Sequence, residues 1–150
     1  MPETVKNILF VCTGNTCRSV FAEYIMKKLD PLQKYKISSA GVLAHPNLSI
    51  PPNVAQLLRK ENVQNFRHIP SKISKELVDE ADYVFVMERY HKDFIADNFP
   101  QVKNKVFLLA EQEIEDPIGG SEETYRKCLK EIKKALGNVF KKLESVNHVP

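Results

Sequence analysis

The sequence predicts an α/β fold: a four-stranded parallel sheet with helices on both faces. Three observations carry that expectation. Short apolar runs are built from strand formers, amphipathic stretches with helical period lie between them, and the two alternate along the 150 residues. Parallel strands joined by helices need right-handed crossovers, and these place helices over both faces of the sheet. The length fits a single domain spanning 1–150, with a core large enough to need no disulfide or metal staple.

The run NILFVC (7–12) is too short for a helix and rich in strand formers, so it reads as a first buried strand. From Arg18 onward Phe21, Ala22, Ile25 and Leu29 recur at helical spacing, and Pro31 marks the exit. KYKISSA (34–40) is the second strand. The Gly/Pro loop GVLAHPNLSIPP then delivers a helix over about 53–61. A short helix is expected near 73–80, with Ser71 or Lys72 around its cap. DYVFVM (82–87) is the third strand, 90–98 a helix closed by Pro100, and KVFLLA (105–110) the fourth strand. From Glu122 the residues Tyr125, Cys128, Ile132, Ala135, Leu136, Val139, Phe140 and Leu143 form one stripe, the mark of a long amphipathic helix.

Composition narrows the function classes. A net charge of +3 favours anionic ligands but falls short of a nucleic-acid footprint, and the lysines of the last helix read as a solvated face. The apolar runs are far shorter than a membrane span and the N-terminus lacks a signal-peptide pattern, so no membrane or nucleic-acid partner is expected and the location is cytoplasmic. Three cysteines make no secreted disulfide framework, and reduced thiols are expected. Cys12 and Cys17 lack the second pair or nearby histidine of a zinc site, so neither metal nor cofactor is expected.

Cys12 ends the first strand, and in open parallel sheets ligands sit beyond the carboxyl ends of the strands. The residues that follow, TGNTCR, supply successive backbone N–H groups. Gly14 and Asn15 are the ones best able to take the left-handed dihedrals that curl Thr13, Gly14, Asn15, Thr16 and Cys17 into an anion nest. The helix starting near Arg18 adds its positive end, and Arg18 a planar fork that fits two phosphate oxygens. The same groups favour a Cys12 thiolate facing a bound phosphoryl group. Ser19 is placed to donate a hydrogen bond to that thiolate. The chemistry this string suggests is nucleophilic attack on phosphorus.

FVCTGNTCRS with AE soon after resembles the signature of the low-molecular-weight protein tyrosine phosphatase family. SSAG after the second strand, DYVFVM and DPIGG fall in family order, so the resemblance covers nearly the whole chain. It implies the Rossmann-like three-layer fold of that family and hydrolysis of phosphorylated proteins or peptides through a phospho-cysteine. It also implies a monomer inhibited by inorganic phosphate and other oxyanions. Val20 departs from the pattern, where the family usually has proline in the first helical turn; this removes some pre-organisation and no chemical group.

A thiolate that expels a leaving group needs an acid on the opposite side. Asp116 is the candidate, held out of helical geometry by Pro117, and the resemblance makes it the acid and then the base that activates water. Glu113 and Glu115 are nearby alternates. By the same resemblance Cys17 is the redox partner that traps an oxidised Cys12, Ser39 lends structural support, and His68 braces the Asn15 turn. His68 reads nearly as well as an ordinary surface histidine, Cys128 as core, and His45, His91 and His148 carry no readable role.

Substrate selection is expected to rest on Thr16, Leu43 and Ile118. Phosphotyrosine enzymes of the family usually have an apolar residue at the Thr16 position and aromatic residues after Asp-Pro. CTGNTCRS together with DPIGG resembles instead the bacterial protein arginine phosphatase branch, although Thr16 could merely pack in the loop. Phosphotyrosine is the alternative substrate. An arsenate reductase would need two further cysteines around 80–90, where there are none. A phosphoryl-carrier module of a sugar uptake system, or a silent phosphate-binding module, would not need Arg18 together with Asp116.

Overall fold

Strand β1 (Lys6–Cys12) runs through the middle of the sheet, between β2 (Tyr35–Gly41) and β3 (Tyr83–Val86), and β4 (Val106–Leu108) forms the far edge. The structure is a computed structural model and describes residues 5–147, so His148 lies outside it. All three pairings are parallel, with Cys12 opposite Gly41 and Val11 opposite Val86. The chain leaves β1 towards one neighbour first and reaches the other later. Its carboxyl end is therefore the switch point where the strand order reverses and a crevice opens.

Side chains alternate across a strand, so β1 feeds both layers. Ile8, Phe10 and Cys12 face the core covered by α1 (Arg18–Leu29), α2 (Pro52–Lys60) and α5 (Glu122–Asn147). Leu9 and Val11 face the second core, which Val78 of α3 (Lys75–Glu80) and Ile95 of α4 (Arg89–Asn98) close together with Val102 of a 3-10 turn at Pro100–Lys105. Burial on both faces explains why β1 reads as an unbroken apolar run. The α5 stripe is buried as its spacing predicts, Phe140 only partly, and it packs chiefly on α1. Among the described residues no helix is long and apolar enough to cross a membrane.

Two expectations need correction. The short helix is capped by Ser74, whose hydroxyl accepts the Leu77 N–H at 3.2 Å. Ser71 and Lys72 lie instead in an extended segment beside Gly41, where the Gly41 N–H reaches the Ser71 carbonyl at 2.9 Å. The fourth strand is shorter than 105–110. Lys105 belongs to the 3-10 turn, and after Leu108 the chain stays beside the end of β3 for one more bond, giving the Leu109 N–H to the Val86 carbonyl at 2.8 Å.

Candidate active site

The loop from Thr13 to Cys17 leaves β1 and enters α1 with one left-handed residue, Asn15, at φ 55°. Its side chain offsets the cost of that conformation. Nδ2 donates to the Ser19 and Ser39 hydroxyls at 2.7 and 2.9 Å, and Oδ1 accepts the Ser71 N–H and His68 Nε2, both at 2.9 Å. The amide thereby uses all four of its hydrogen-bonding positions. Gly14 is not left-handed, contrary to expectation: the single reversal at Asn15 curls the loop. The glycine that matters sterically is Gly41, where an added Cβ would stand 2.5 Å from the Thr13 carbonyl oxygen.

Ser39 and His68 both bond to the Asn15 amide. Ser39 donates to the buried carboxylate of Glu23 at 2.5 Å, and Lys27 pairs with the same carboxylate. His68 has a side chain only 7% exposed, and Tyr24 contacts its Nδ1 at 3.2 Å. Burial lowers the pKa of His68 in spite of Glu23 nearby.

Cys12 is buried at the floor, with Sγ 3.0 Å from the Ser19 hydroxyl. Ser19 already accepts from Asn15, so its own hydrogen is free for the sulfur, the direction that steadies negative charge there. Arg18 is 1% exposed. Its Nη1 donates to Glu88 at 2.7 Å and to the Ile114 carbonyl at 2.8 Å, and its Nη2 to the Thr13 hydroxyl at 3.2 Å. These bonds take three of the five guanidinium hydrogens. The two left, on Nε and Nη2, share one edge of the fork and match two oxygens of an oxyanion. Burial alone would disfavour the charge, but Cys12, Glu88 and Asp116 outweigh it and raise the pKa.

Asp116 lies on the loop after β4, 3.5 Å from Arg18 Nη2, its side chain 43% exposed. Its Oδ1 accepts the Ile118 N–H at 3.0 Å, which turns the carboxylate over the cleft. Glu113 is occupied elsewhere, accepting the Arg89 N–H at the start of α4. The cleft, about 350 Å³, holds Cys12, Thr16, Arg18, Asp116 and Ile118 together. A larger groove between residues 108–114 and α5 is lined by Glu113 but by none of Cys12, Arg18 and Asp116.

Leu43 is not part of the cleft; it is exposed, and Leu48 supplies that wall, 3.8 Å from where a Gly14 Cβ would stand. An isolated leucine in a Gly/Pro loop has no periodic signal, so sequence reasoning passes over it. It also misses Glu88 and His91, which form a reciprocal cap at the start of α4; their E-x-x-H order is not the usual capping signature. Cys17 is buried beside Cys128, and burial, then that neighbour, push its thiol pKa well up. Cys128 thus packs in the core as expected while touching the loop.

A buried thiol at the carboxyl end of a central parallel strand, facing an arginine edge and a carboxylate across one cleft, defines a cysteine-type phosphohydrolase. The comparisons agree. Residues 7–148 match the model of the low molecular weight phosphotyrosine protein phosphatase family, and the chain belongs to that family. It is 35% identical to the protein-arginine-phosphatase of Bacillus subtilis over 92% of this chain and 97% of that one. The YwlE arginine phosphatase, solved as a cysteine-to-serine mutant with a phosphorylated active-site serine, superposes with a TM-score of 0.86 at 34% identity, over 92% and 95% of the two chains. The tyrosine phosphatase Wzb from Escherichia coli K30, in complex with sulphate, gives 0.86 at 28% identity over 93% and 99%. The protein is accordingly a hydrolase, a protein phosphatase.

Proposed function

We propose that the protein removes phosphate from phosphoarginine side chains of proteins, with Cys12 as nucleophile, Arg18 as phosphate clamp and Asp116 as general acid and base. The observation that carries the roles is the facing of Cys12 and Asp116 across the Arg18 edge. Cys12 Sγ attacks phosphorus as the bond to the guanidine nitrogen breaks, and the departing nitrogen takes the Asp116 proton. Ser19 and Arg18 hold the charge on sulfur and on the phosphoryl oxygens. Water then attacks the phospho-cysteine, gives its proton to the Asp116 carboxylate, and releases phosphate and the Cys12 thiolate. The phosphorylated serine of the YwlE relative supports covalent transfer to this position.

Preference for phosphoarginine rests on Thr16, largely buried in the cleft wall, and on Leu48 and Ile118, which give that wall aliphatic surfaces. A planar guanidine gains from a nearby hydroxyl, whereas a phenyl ring gains from aromatic contact. The 35% identical relative named as an arginine phosphatase points the same way. Tyr90, half-exposed and bonded to Thr13 at the rim, is the feature that favours phosphotyrosine instead. On our reading the enzyme works in the cytoplasm as a monomer, inorganic phosphate competes with substrate, and Cys17 closes a reversible disulfide with an oxidised Cys12.

Phosphate release from matched phosphoarginine and phosphotyrosine peptides tests the preference, and a higher specificity constant for phosphotyrosine would reject it. Cys12→Ser should abolish turnover and keep oxyanion binding; substantial residual turnover would rule out the phospho-cysteine.

A further inference from the structure

His91 is completely buried at the start of α4, and the mechanism above gives it no part. Its tautomer follows from its partners. The Glu88 backbone N–H donates to Nδ1 at 3.0 Å, so that nitrogen carries a lone pair and the ring proton sits on Nε2. Nε2 lies 3.0 Å from the Thr13 hydroxyl and donates to it. Thr13 also accepts from Arg18 Nη2 at 3.2 Å. Both of its lone pairs are then taken, and its own hydrogen turns to the Tyr90 hydroxyl. The Thr13 oxygen is fixed as an acceptor for Arg18 Nη2, while Glu88 and the Ile114 carbonyl hold Nη1.

We propose that His91 is a positioning residue for phosphoryl transfer, acting through Thr13 to set the plane of the Arg18 fork. This rests on the role given to Arg18 above. A guanidinium anchored only by Glu88 and the Ile114 carbonyl can still rotate about the Nη1 side, tilting the Nε–Nη2 edge away from the phosphoryl oxygens. Misplacement on the scale of an ångström costs on the order of a hundredfold in rate. Because the edge is needed most as charge spreads over those oxygens in the transition state, the loss should fall on kcat rather than KM.

Two substitutions separate this role from a structural one. In His91→Asn the amide oxygen can replace Nδ1 and keep the cap of α4, but nothing reaches Thr13. In His91→Gln the longer amide can replace the Nε2 donor and lose the cap. With p-nitrophenyl phosphate as probe, kcat should fall about 10- to 100-fold in His91→Asn and recover most of that loss in His91→Gln, while inhibition by inorganic phosphate changes little. Recovery in Asn equal to or better than in Gln, or equal kcat in both, overturns the proposal. If the histidine variants do not fold, Thr13→Val decides: it leaves the cap intact, and a wild-type kcat overturns the proposal while a loss of the same size upholds it. Failure of the catalytic reading itself is distinguishable, since it would show as residual turnover in Cys12→Ser.

Discussion

Gly41 stands beneath Thr13 so closely that a Cβ there would lie 2.5 Å from the Thr13 carbonyl oxygen and 2.8 Å from the Asn15 amide nitrogen. Both are backbone atoms of the Thr13–Cys17 loop and cannot yield as a side chain would. Gly41→Ala should therefore displace the loop, costing about 1–3 kcal/mol of stability and more than about tenfold in kcat/KM. Urea unfolding and steady-state kinetics measure the two; an alanine variant with wild-type turnover would show that the loop can give way.

Asp116 approaches Arg18 from the exposed side of the cleft, where a leaving group would depart. In Asp116→Asn, turnover of aryl phosphates should fall about 10²- to 10⁴-fold for poor leaving groups and much less for good ones, because a good one needs little protonation. Rates across phenols of graded pKa check this, and an equal loss along the series would remove Asp116 as the acid.

Thr16→Ile replaces a hydroxyl in the cleft wall by an apolar branch. The specificity constant for phosphoarginine peptides should drop about tenfold or more, while that for phosphotyrosine peptides holds or rises. A parallel fall in both would mean that Thr16 only shapes the loop.

His91 supplies a pH dependence of stability. Burial, and then the Arg18 charge, push its pKa down to about 3, and Thr13, Tyr90 and Glu88 are the other groups against it. Its folded pKa lies below the unfolded one near 6.5, so the unfolded chain binds more protons between them. The stability this gives is full above about pH 6.5 and is lost as the pH falls towards 3. Urea midpoints at about pH 8 and pH 5 should therefore drop further in the wild type than in His91→Gln, which has no such proton to bind; equal drops would contradict the assignment.

The sheet was legible because burial on both faces leaves unbroken apolar signatures, and the Thr13–Cys17 loop because a thiol, a left-handed Asn and an arginine follow one another in the chain. Leu48, Glu88 and His91 were not, since each comes to the site from a separate loop or helix and only the folded sheet brings them there. Ser74 displaced the expected cap because several serines and lysines precede α3, and the chain uses Ser71 to hold Asn15 instead. Gly14 misled for a related reason: glycine permits a left-handed turn without requiring one.

The saturated amide of Asn15 has a kinetic corollary. With every donor and acceptor of that side chain already engaged by protein, the Asn15 turn has nothing left to order when an oxyanion arrives. Encounter should accordingly proceed as a single bimolecular step whose observed rate climbs linearly with ligand concentration, without the plateau of a slow closure. The ordering entropy is spent once, when the chain folds, and each turnover begins from a receptor already in its final shape.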